Sequence, residues 1–415
     1  MHTAFRFLAV FFSRSVSALG GMLFSITVAR ITGPAALGQI AVFMGVLGIG
    51  AQIACRGQDM ILLRVAAHEA DPVTGKSHTA LLLASFRRIV LSSLIVGSVG
   101  AALMHSALLG AMLPNADLLL AIAMPAYSGL ALVAAYYKGS DRAWFAPMFE
   151  IGGMSLVASA IMLLAWVGLP VNPLASLALA IVLLVVVAVT LVMIDRLEEL
   201  QVPPYHLDAS LLRSGQIDFM LIGLATFAMQ AGAFMFVGPF LASEVIGQLR
   251  AAERFAAVIT FPQAAISPFI APRIVRATRD GNTGALRRVT LRAMVFSGAA
   301  GCVPCAAMVF TPTIFLSLMG KSFVDSGIFL TVLALVNLGV VICLPLNMVL
   351  AMGGNERTAM WINLFGLVGV VSLYPLLSYL LGAPGFLLAY AFVLLGRAVA
   401  MVFATFYRDG PLSRS

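Results

Sequence analysis

Charged residues are scarce in this chain. Only 10% of its 415 residues are Asp, Glu, Lys or Arg, against about a quarter in an average soluble domain. A helix that crosses the hydrocarbon core of a membrane needs about 20 predominantly apolar residues. Seven charge-free stretches are long enough: 31–55, 89–116, 151–194, 219–243, 293–320, 326–355 and 358–396. The composition therefore excludes a soluble fold.

Cysteine and nucleotide-binding motifs are scarce or absent as well. Four cysteines in so long a chain give no disulfide framework, and the pair Cys302 and Cys305 lies in an apolar stretch without a nearby His or acidic residue. We interpret this pair as packing residues and predict no metal site. The sequence has no GxxxxGK[ST] loop, so ATP cannot be hydrolysed by this chain. We predict that it is not an enzyme and needs no cofactor.

Hydropathy and helix breakers divide the chain into about twelve spans. Two charge-free stretches have double length, and each is interrupted by Gly and Pro, at 168–173 and at 382–385. The sequence thus predicts an all-α polytopic membrane protein with an N-terminal lobe at 1–200 and a C-terminal lobe at 201–415. The predicted spans are 7–29, 37–55, 89–109, 118–137, 145–167, 174–194, 217–237, 245–270, 290–310, 327–350, 358–380 and 385–407.

Basic residues set the predicted orientation. If the N-terminus lies in the cytoplasm, 19 of the 25 Lys and Arg residues fall on the cytoplasmic side, as the positive-inside rule requires. We therefore predict that both termini are cytoplasmic. The formal net charge of +8 reflects this topology and requires no nucleic-acid partner.

The two halves of the chain carry a weak internal repeat. At an offset of 209 residues, Gly38 and Gln39 align with Gly247 and Gln248, and Arg64 aligns with Arg273, without a gap. An even number of spans per repeat preserves orientation, so we expect the halves to be related by an axis along the membrane normal.

Two segments resemble bacterial polysaccharide flippases of the multidrug/oligosaccharidyl-lipid/polysaccharide (MOP) exporter superfamily. The first is 28–38 (VARITGPAALG), with Arg64 after the next span; the second is 247–255 (GQLRAAERF), leading into 261–262 and 271–273. The resemblance implies two six-helix, MATE-like lobes around a central cavity that opens alternately to either side of the bacterial inner membrane. It implies as cargo an oligosaccharide unit linked to undecaprenyl diphosphate, and as partners membrane lipids, a polysaccharide polymerase and chain-length machinery.

Four ionisable side chains stand out within predicted spans: Arg14, Glu150, Asp218 and Arg397. Such residues are costly in a membrane and usually face a wet cavity or a partner. Arg14 and Arg397 are candidate diphosphate ligands, because the guanidinium fork suits phosphate oxygens; alternatively they pair with Glu150 or Asp218, or snorkel to headgroups. Glu150 is the candidate site for coupling to H⁺ or Na⁺. Asp218 either contacts cargo or stabilises a helix N-terminus.

The eighth predicted span carries two further candidate diphosphate ligands, Arg250 and Arg254. The spacing predicts that Arg250 pairs with Glu253 on one helix face. Arg254 then remains to receive a diphosphate or to orient anionic headgroups.

The sequence is compatible with three transport functions. A lipid-linked oligosaccharide flippase is favoured, because the arginines in spans suit an anionic cargo. An ion-coupled multidrug or small-molecule exporter of the same superfamily is the alternative, and a passive scramblase is the third. A polymerase, ligase or glycosyltransferase is disfavoured, because every predicted periplasmic loop is short.

Overall fold

The computed structural model describes most of the chain as α-helix. The described residues are 2–68, 78–104, 113, 116–140, 142–164, 168, 172–199, 216–229, 232–261, 280–352 and 356–407, with isolated positions between 263 and 278. Within these ranges the regular elements are all helices, so the all-α prediction is confirmed. The predicted boundary between lobes at residue 200 lies outside the described residues.

Fifteen α-helices follow one another along the described part of the chain. In order they are α1 (His2–Thr32), α2 (Pro34–Cys55), α3 (Gln58–His68), α4 (His78–Met104), α5 (Asp117–Gly139), α6 (Ile151–Leu163), α7 (Pro173–Glu199), α8 (Gln216–Met229), α9 (Ala233–Val237), α10 (Ser243–Ala256), α11 (Thr283–Phe310), α12 (Pro312–Ser317), α13 (Gly327–Met352), α14 (Glu356–Leu381) and α15 (Ala383–Phe406). Short 3₁₀ turns occupy Ala143–Met148, Gly238–Phe240, Ala257–Thr260 and Lys321–Ser326.

Nine of the described helices are long and apolar enough to cross a membrane. Large apolar side chains point outward from them: Val303, Phe310, Phe365 and Phe392 are each more than 70% exposed. Such a surface is unfavourable in water and suits contact with lipid. The protein is therefore a multi-pass membrane protein.

Three predicted spans are not single long helices. The fifth, at 145–167, becomes a 3₁₀ turn followed by the 13-residue helix α6. Pro147 lies in that turn and lacks a backbone N–H for a continuous helix. The seventh, at 217–237, is divided into α8 and α9, and the eighth, at 245–270, leaves α-helical geometry after Ala256.

Both predicted glycine positions have backbone angles that a helix interior does not allow. Gly168 and Gly382 have φ angles of +88° and +67°, which residues with a Cβ rarely adopt. Gly382 lies in the tight turn between α14 and α15, and these two helices pack against each other as a hairpin. The second double-length stretch is thus divided as predicted. The first yields two separate helices, α6 and α7, which pack against each other, while most of the link between them lies outside the described residues. The start of α11 is set by Asn282, whose side-chain oxygen accepts from the Ala285 N–H at 2.8 Å.

The described helices form two compact units. The first comprises residues 1–32 and 42–227, and the second comprises 33–41 and 228–415. In the first unit α1 packs against α6, and α5 packs against α3, α4 and α7. Small residues permit the closest approach, since a Cβ on Gly152 would overlap the Ser17 backbone carbonyl. In the second unit α13 packs against α10, α11 and α15.

The internal repeat extends to the helix bounds. Adding 209 to the bounds of α5 gives 326–348, against Gly327–Met352 for α13. The same shift of α7 gives 382–408, against Ala383–Phe406 for α15. Packing repeats as well: α4 contacts α5 as α11 contacts α13, and α6 contacts α7 as α14 contacts α15.

Two glycines related by the repeat meet in the second unit. A Cβ on Gly38 would overlap the carbonyl oxygen of Ser243, and a Cβ on Gly247 would overlap that of Pro34. Pro34 and Ser243 are themselves 209 residues apart, as Gly38 and Gly247 are. The two helices therefore contact each other through equivalent positions of the repeat. This reciprocity is characteristic of a two-fold contact. The glycines therefore allow α2 and α10 to cross with their backbones in contact.

Candidate functional site

Three charged residues in the second half of α10 form a largely buried cluster within the second unit. Arg250 Nη1 donates a hydrogen bond to Glu253 Oε2 at 2.7 Å, and the two side chains are only 6% and 15% exposed. The predicted pairing on one helix face is confirmed. We call Arg250, Glu253 and Arg254 the α10 charge cluster.

A chain of aromatic rings begins at this cluster. The Arg250 guanidinium carbon lies 5.3 Å from the ring centroid of Phe234, a cation–π distance. Phe234 stacks on Phe386 at 5.7 Å, and Phe386 contacts Tyr374 and Tyr390 at 5.4 and 5.9 Å between ring centroids. Helices α9, α14 and α15 thus bring to α10 a set of rings that the sequence alone did not connect with it.

Arg254 gives the cluster an excess positive charge. The cluster contains two guanidiniums and one carboxylate, and that carboxylate, of Glu253, is already paired with Arg250. The Nε of Arg254 is buried, and no hydrogen-bond acceptor reaches it from the described residues. The same is true of the Tyr374 hydroxyl, whereas the Tyr390 hydroxyl accepts from Asn337 Nδ2 at 3.4 Å. Burying an unbalanced cation is costly, so the arrangement favours an anion as partner.

The other two predicted arginines, unlike Arg250, have no ion-pair partner in the described part of the chain. Arg14 lies on α1 with an exposed side chain, in the first unit. Arg397 lies on α15 in the second unit, half-buried, with a buried Nε that lacks a hydrogen-bond acceptor among the described residues. Their roles as cargo ligands remain predictions.

Glu150 differs from its expected setting. It immediately precedes α6, at the N-cap position, instead of lying inside a helical span. Its carboxylate Oε1 is 2.6 Å from Lys138 Nζ at the end of α5, and each side chain is about one-third exposed. Lys138 falls between two predicted spans, yet it is the ion-pair partner of Glu150 in place of Arg14 or Arg397. The side chain of Asp218, in the first turn of α8, lies outside the described residues.

The first unit contains a polar cluster around Asp195 that the sequence analysis did not predict. Asp195, near the end of α7, is 7% exposed and accepts from Arg142 Nη1 at 2.6 Å and from the Tyr137 hydroxyl at 2.9 Å. Tyr136 adds a longer contact of 3.4 Å. Arg142 and Asp195 fall at the ends of separate spans in the sequence, and only the packing of α5 against α7 brings them together. The cluster ties those ends to each other.

Cysteines and metal ligands add no further chemistry to the described part of the chain. Cys302 is exposed on α11, Cys305 is buried, and both are free thiols. Among the described residues no group of three or more His, Cys, Asp or Glu side chains is arranged to hold a metal.

The backbone as a whole matches solved transporters over nearly its full length. The MATE multidrug transporter DinF-BH aligns with a TM-score of 0.69 and 14% identity, over 99% of this chain and 97% of that one. An inward-facing multidrug resistance MATE family transporter of the MOP superfamily aligns with 0.64 and 14% identity, over 94% and 93%. The chain has the fold of MATE transporters.

A third solved structure also matches the backbone over nearly its full length. A MOP superfamily transporter from Pyrococcus furiosus, described as having a binding pocket of reversed polarity that suggests a different function, aligns with 0.63 and 15% identity, over 96% of this chain and 93% of that one. No protein-family model and no curated protein matches the sequence. These likenesses support the superfamily fold and give no support to the narrower resemblance to polysaccharide flippases.

Proposed function

We propose that the protein is an exporter that carries small amphiphilic molecules across the membrane by alternating access. The observation that carries this proposal is the full-length likeness to MATE transporters, since DinF-BH and the inward-facing MATE protein are both named as multidrug transporters. Because the sequence lacks a nucleotide-binding loop, an ion gradient is the proposed energy source.

The proposed cargo is anionic. Arg254 leaves the α10 charge cluster with one positive charge that Glu253 does not balance. The rings of Phe234, Phe386 and Tyr374 would contact the apolar part of an amphiphile, while Arg254 would hold its acidic group. A carboxylate or a phosphate ester fits this chemistry better than the cation of a typical cationic drug.

Flipping of a lipid-linked oligosaccharide is the second candidate function. The same unbalanced Arg254 favours it, since a diphosphate carries the charge that this site lacks. The resemblance of segments 28–38 and 247–255 to polysaccharide flippases adds support. In that case the undecaprenyl diphosphate lipid replaces the small amphiphile as cargo, and a polysaccharide polymerase becomes a proposed partner.

The experiment is a transport assay in proteoliposomes with three cargoes. They are an anionic amphiphilic dye, a cationic dye of similar size, and a fluorescent oligosaccharide linked to undecaprenyl diphosphate. Each is measured with and without a proton or sodium gradient. Gradient-driven movement of the anionic dye supports the small-molecule exporter, and movement of the lipid-linked sugar alone supports the flippase. Transport of the cationic dye alone contradicts the anionic cargo, and no transport at all contradicts both functions.

Arg254→Gln tests the role of the charge cluster in the same assay. Loss of a charged hydrogen bond to the cargo is expected to lower anion affinity about tenfold or more. Arg292→Gln is the matched control, because Arg292 is an exposed residue of α11 outside the cluster. Equal effects of the two substitutions would show that Arg254 does not contact the cargo.

A further inference from the structure

A cavity of about 380 Å³ lies in the first unit, apart from the α10 charge cluster. Its described lining residues are Arg56, Gln58, Arg88, Ile89 and Gln216. They come from the turn after α2, the start of α3, the middle of α4 and the start of α8. Four of the five are polar, and two of those carry a guanidinium.

A constrained turn positions Arg56 at this cavity. Arg56 has a φ of +51° and Gly57 a φ of +74°. The left-handed region is unfavourable for a residue with a Cβ, and strain of this kind often occurs at binding sites. A Cβ on Gly57 would lie 2.5 Å from the Gln216 carbonyl oxygen, so the glycine lets the turn contact the start of α8. The turn thereby holds Arg56 against the same cavity as Arg88 and Gln216.

The chemistry of the lining selects an anion. Two guanidiniums and two carboxamides line the cavity, and none of the described lining residues is acidic. Guanidinium groups present paired N–H donors that match two phosphate oxygens, and carboxamide N–H groups add neutral donors. We propose that the Arg56–Arg88 cavity binds a phosphate group. This site is independent of the cargo proposed above.

The phosphate group could belong to a phospholipid or to a water-soluble diphosphate. Leu91 on α4 is 67% exposed and Ile217 on α8 is 68% exposed, each close in sequence to a lining residue. An apolar surface beside a cationic cavity suits a phospholipid, whose chains lie on the helices while the phosphate enters the cavity. A water-soluble diphosphate would use the guanidiniums alone.

Binding to the purified full-length protein distinguishes these sources. Retention of short-chain phosphatidylglycerol is measured by native mass spectrometry, and binding of inorganic pyrophosphate by calorimetry. The variants are Arg56→Gln and Arg88→Gln. The matched control is Arg87→Gln, which removes an exposed arginine adjacent in sequence that does not line the cavity.

Each cavity substitution is expected to weaken binding about tenfold, while Arg87→Gln leaves it unchanged. A loss confined to phosphatidylglycerol identifies a lipid headgroup, and a loss confined to pyrophosphate identifies a soluble phosphate. Equal losses in all three variants would show a diffuse effect of surface charge and overturn the proposal, as would absence of binding to wild-type protein. If a Gln variant fails to fold, Arg56→Lys and Arg88→Lys replace it, and undiminished binding by both Lys variants would contradict recognition by the guanidinium fork.

Discussion

The glycine crossing of α2 and α10 can be tested by adding a single methyl group. Gly38→Ala places a Cβ on the Ser243 carbonyl oxygen, and Gly247→Ala places one on the Pro34 carbonyl oxygen. Both obstructions are backbone atoms within helices, so no side-chain rotation relieves them. The two helices must move apart, and the contacts between them are lost.

The expected cost follows from this geometry. Overpacking in a well-packed interior costs about 1–3 kcal/mol, and an obstruction by rigid backbone corresponds to the upper end, about 3 kcal/mol for each substitution. Because both glycines serve one crossing, separation caused by the first alanine makes room for the second. We therefore expect the double variant to be less destabilised than the sum of the single variants, by about 1–3 kcal/mol.

Thermal unfolding of the detergent-purified protein provides the measurement. Gly396→Ala is the matched control, because Gly396 lies within α15 and a Cβ there would meet no atom within 4 Å. That control is expected to leave the Tm unchanged or to raise it, since alanine favours helix by about 1 kcal/mol over glycine. If Gly38→Ala and Gly247→Ala behave like Gly396→Ala, or if their effects are additive, the reciprocal contact is wrong.

Two further predictions concern acidic residues of the first unit. Glu150→Gln is expected to abolish gradient-driven transport while leaving downhill exchange intact, because the neutral side chain cannot form the ion pair with Lys138 on which the proposed coupling depends. Glu244→Gln, at an exposed position, is the control. Unchanged driven transport in Glu150→Gln would show that Glu150 is not the coupling residue. Burial raises the pKa of Asp59, at the start of α3, so its contribution to stability is present at low pH and is lost as the pH rises through the folded-state pKa. Asp59→Asn is therefore expected to raise the Tm at pH 8 relative to wild type but not below about pH 4, where aspartate is protonated in both states; a difference between the two proteins that does not change with pH would contradict this.

Much of the helix layout could be predicted because hydrophobicity alone decides it. A long apolar stretch in lipid must satisfy its own backbone hydrogen bonds, and a helix does so without help from distant residues. Helices α5, α7, α13 and α15 accordingly begin and end within a few residues of their predicted bounds. The fifth span was less predictable, because Pro147 and Glu150 interrupt a stretch whose overall hydropathy still resembles a span.

The candidate sites were only partly predictable. The pair Arg250 and Glu253 follows from their spacing on one helix, which is local information. The partner of Glu150 is set by packing instead. Arg14 and Arg397 were compatible with it in sequence, but the 3₁₀ turn before Glu150 packs against α5, and Glu150 pairs with Lys138 at the end of that helix. No periodicity in the sequence marks Asp195 and Arg142 as neighbours.

The sequence by itself determined that this chain resides in a membrane, where most of its long helices fall, and that its two halves repeat at an offset of 209 residues. These properties depend on local composition and on short-range patterns. Only the tertiary structure decided that Gly38 meets Gly247, that Phe234 covers Arg250, and that Arg56 shares a cavity with Arg88. Contacts of this kind depend on which helix faces turn toward each other, and that is decided by packing across the whole unit.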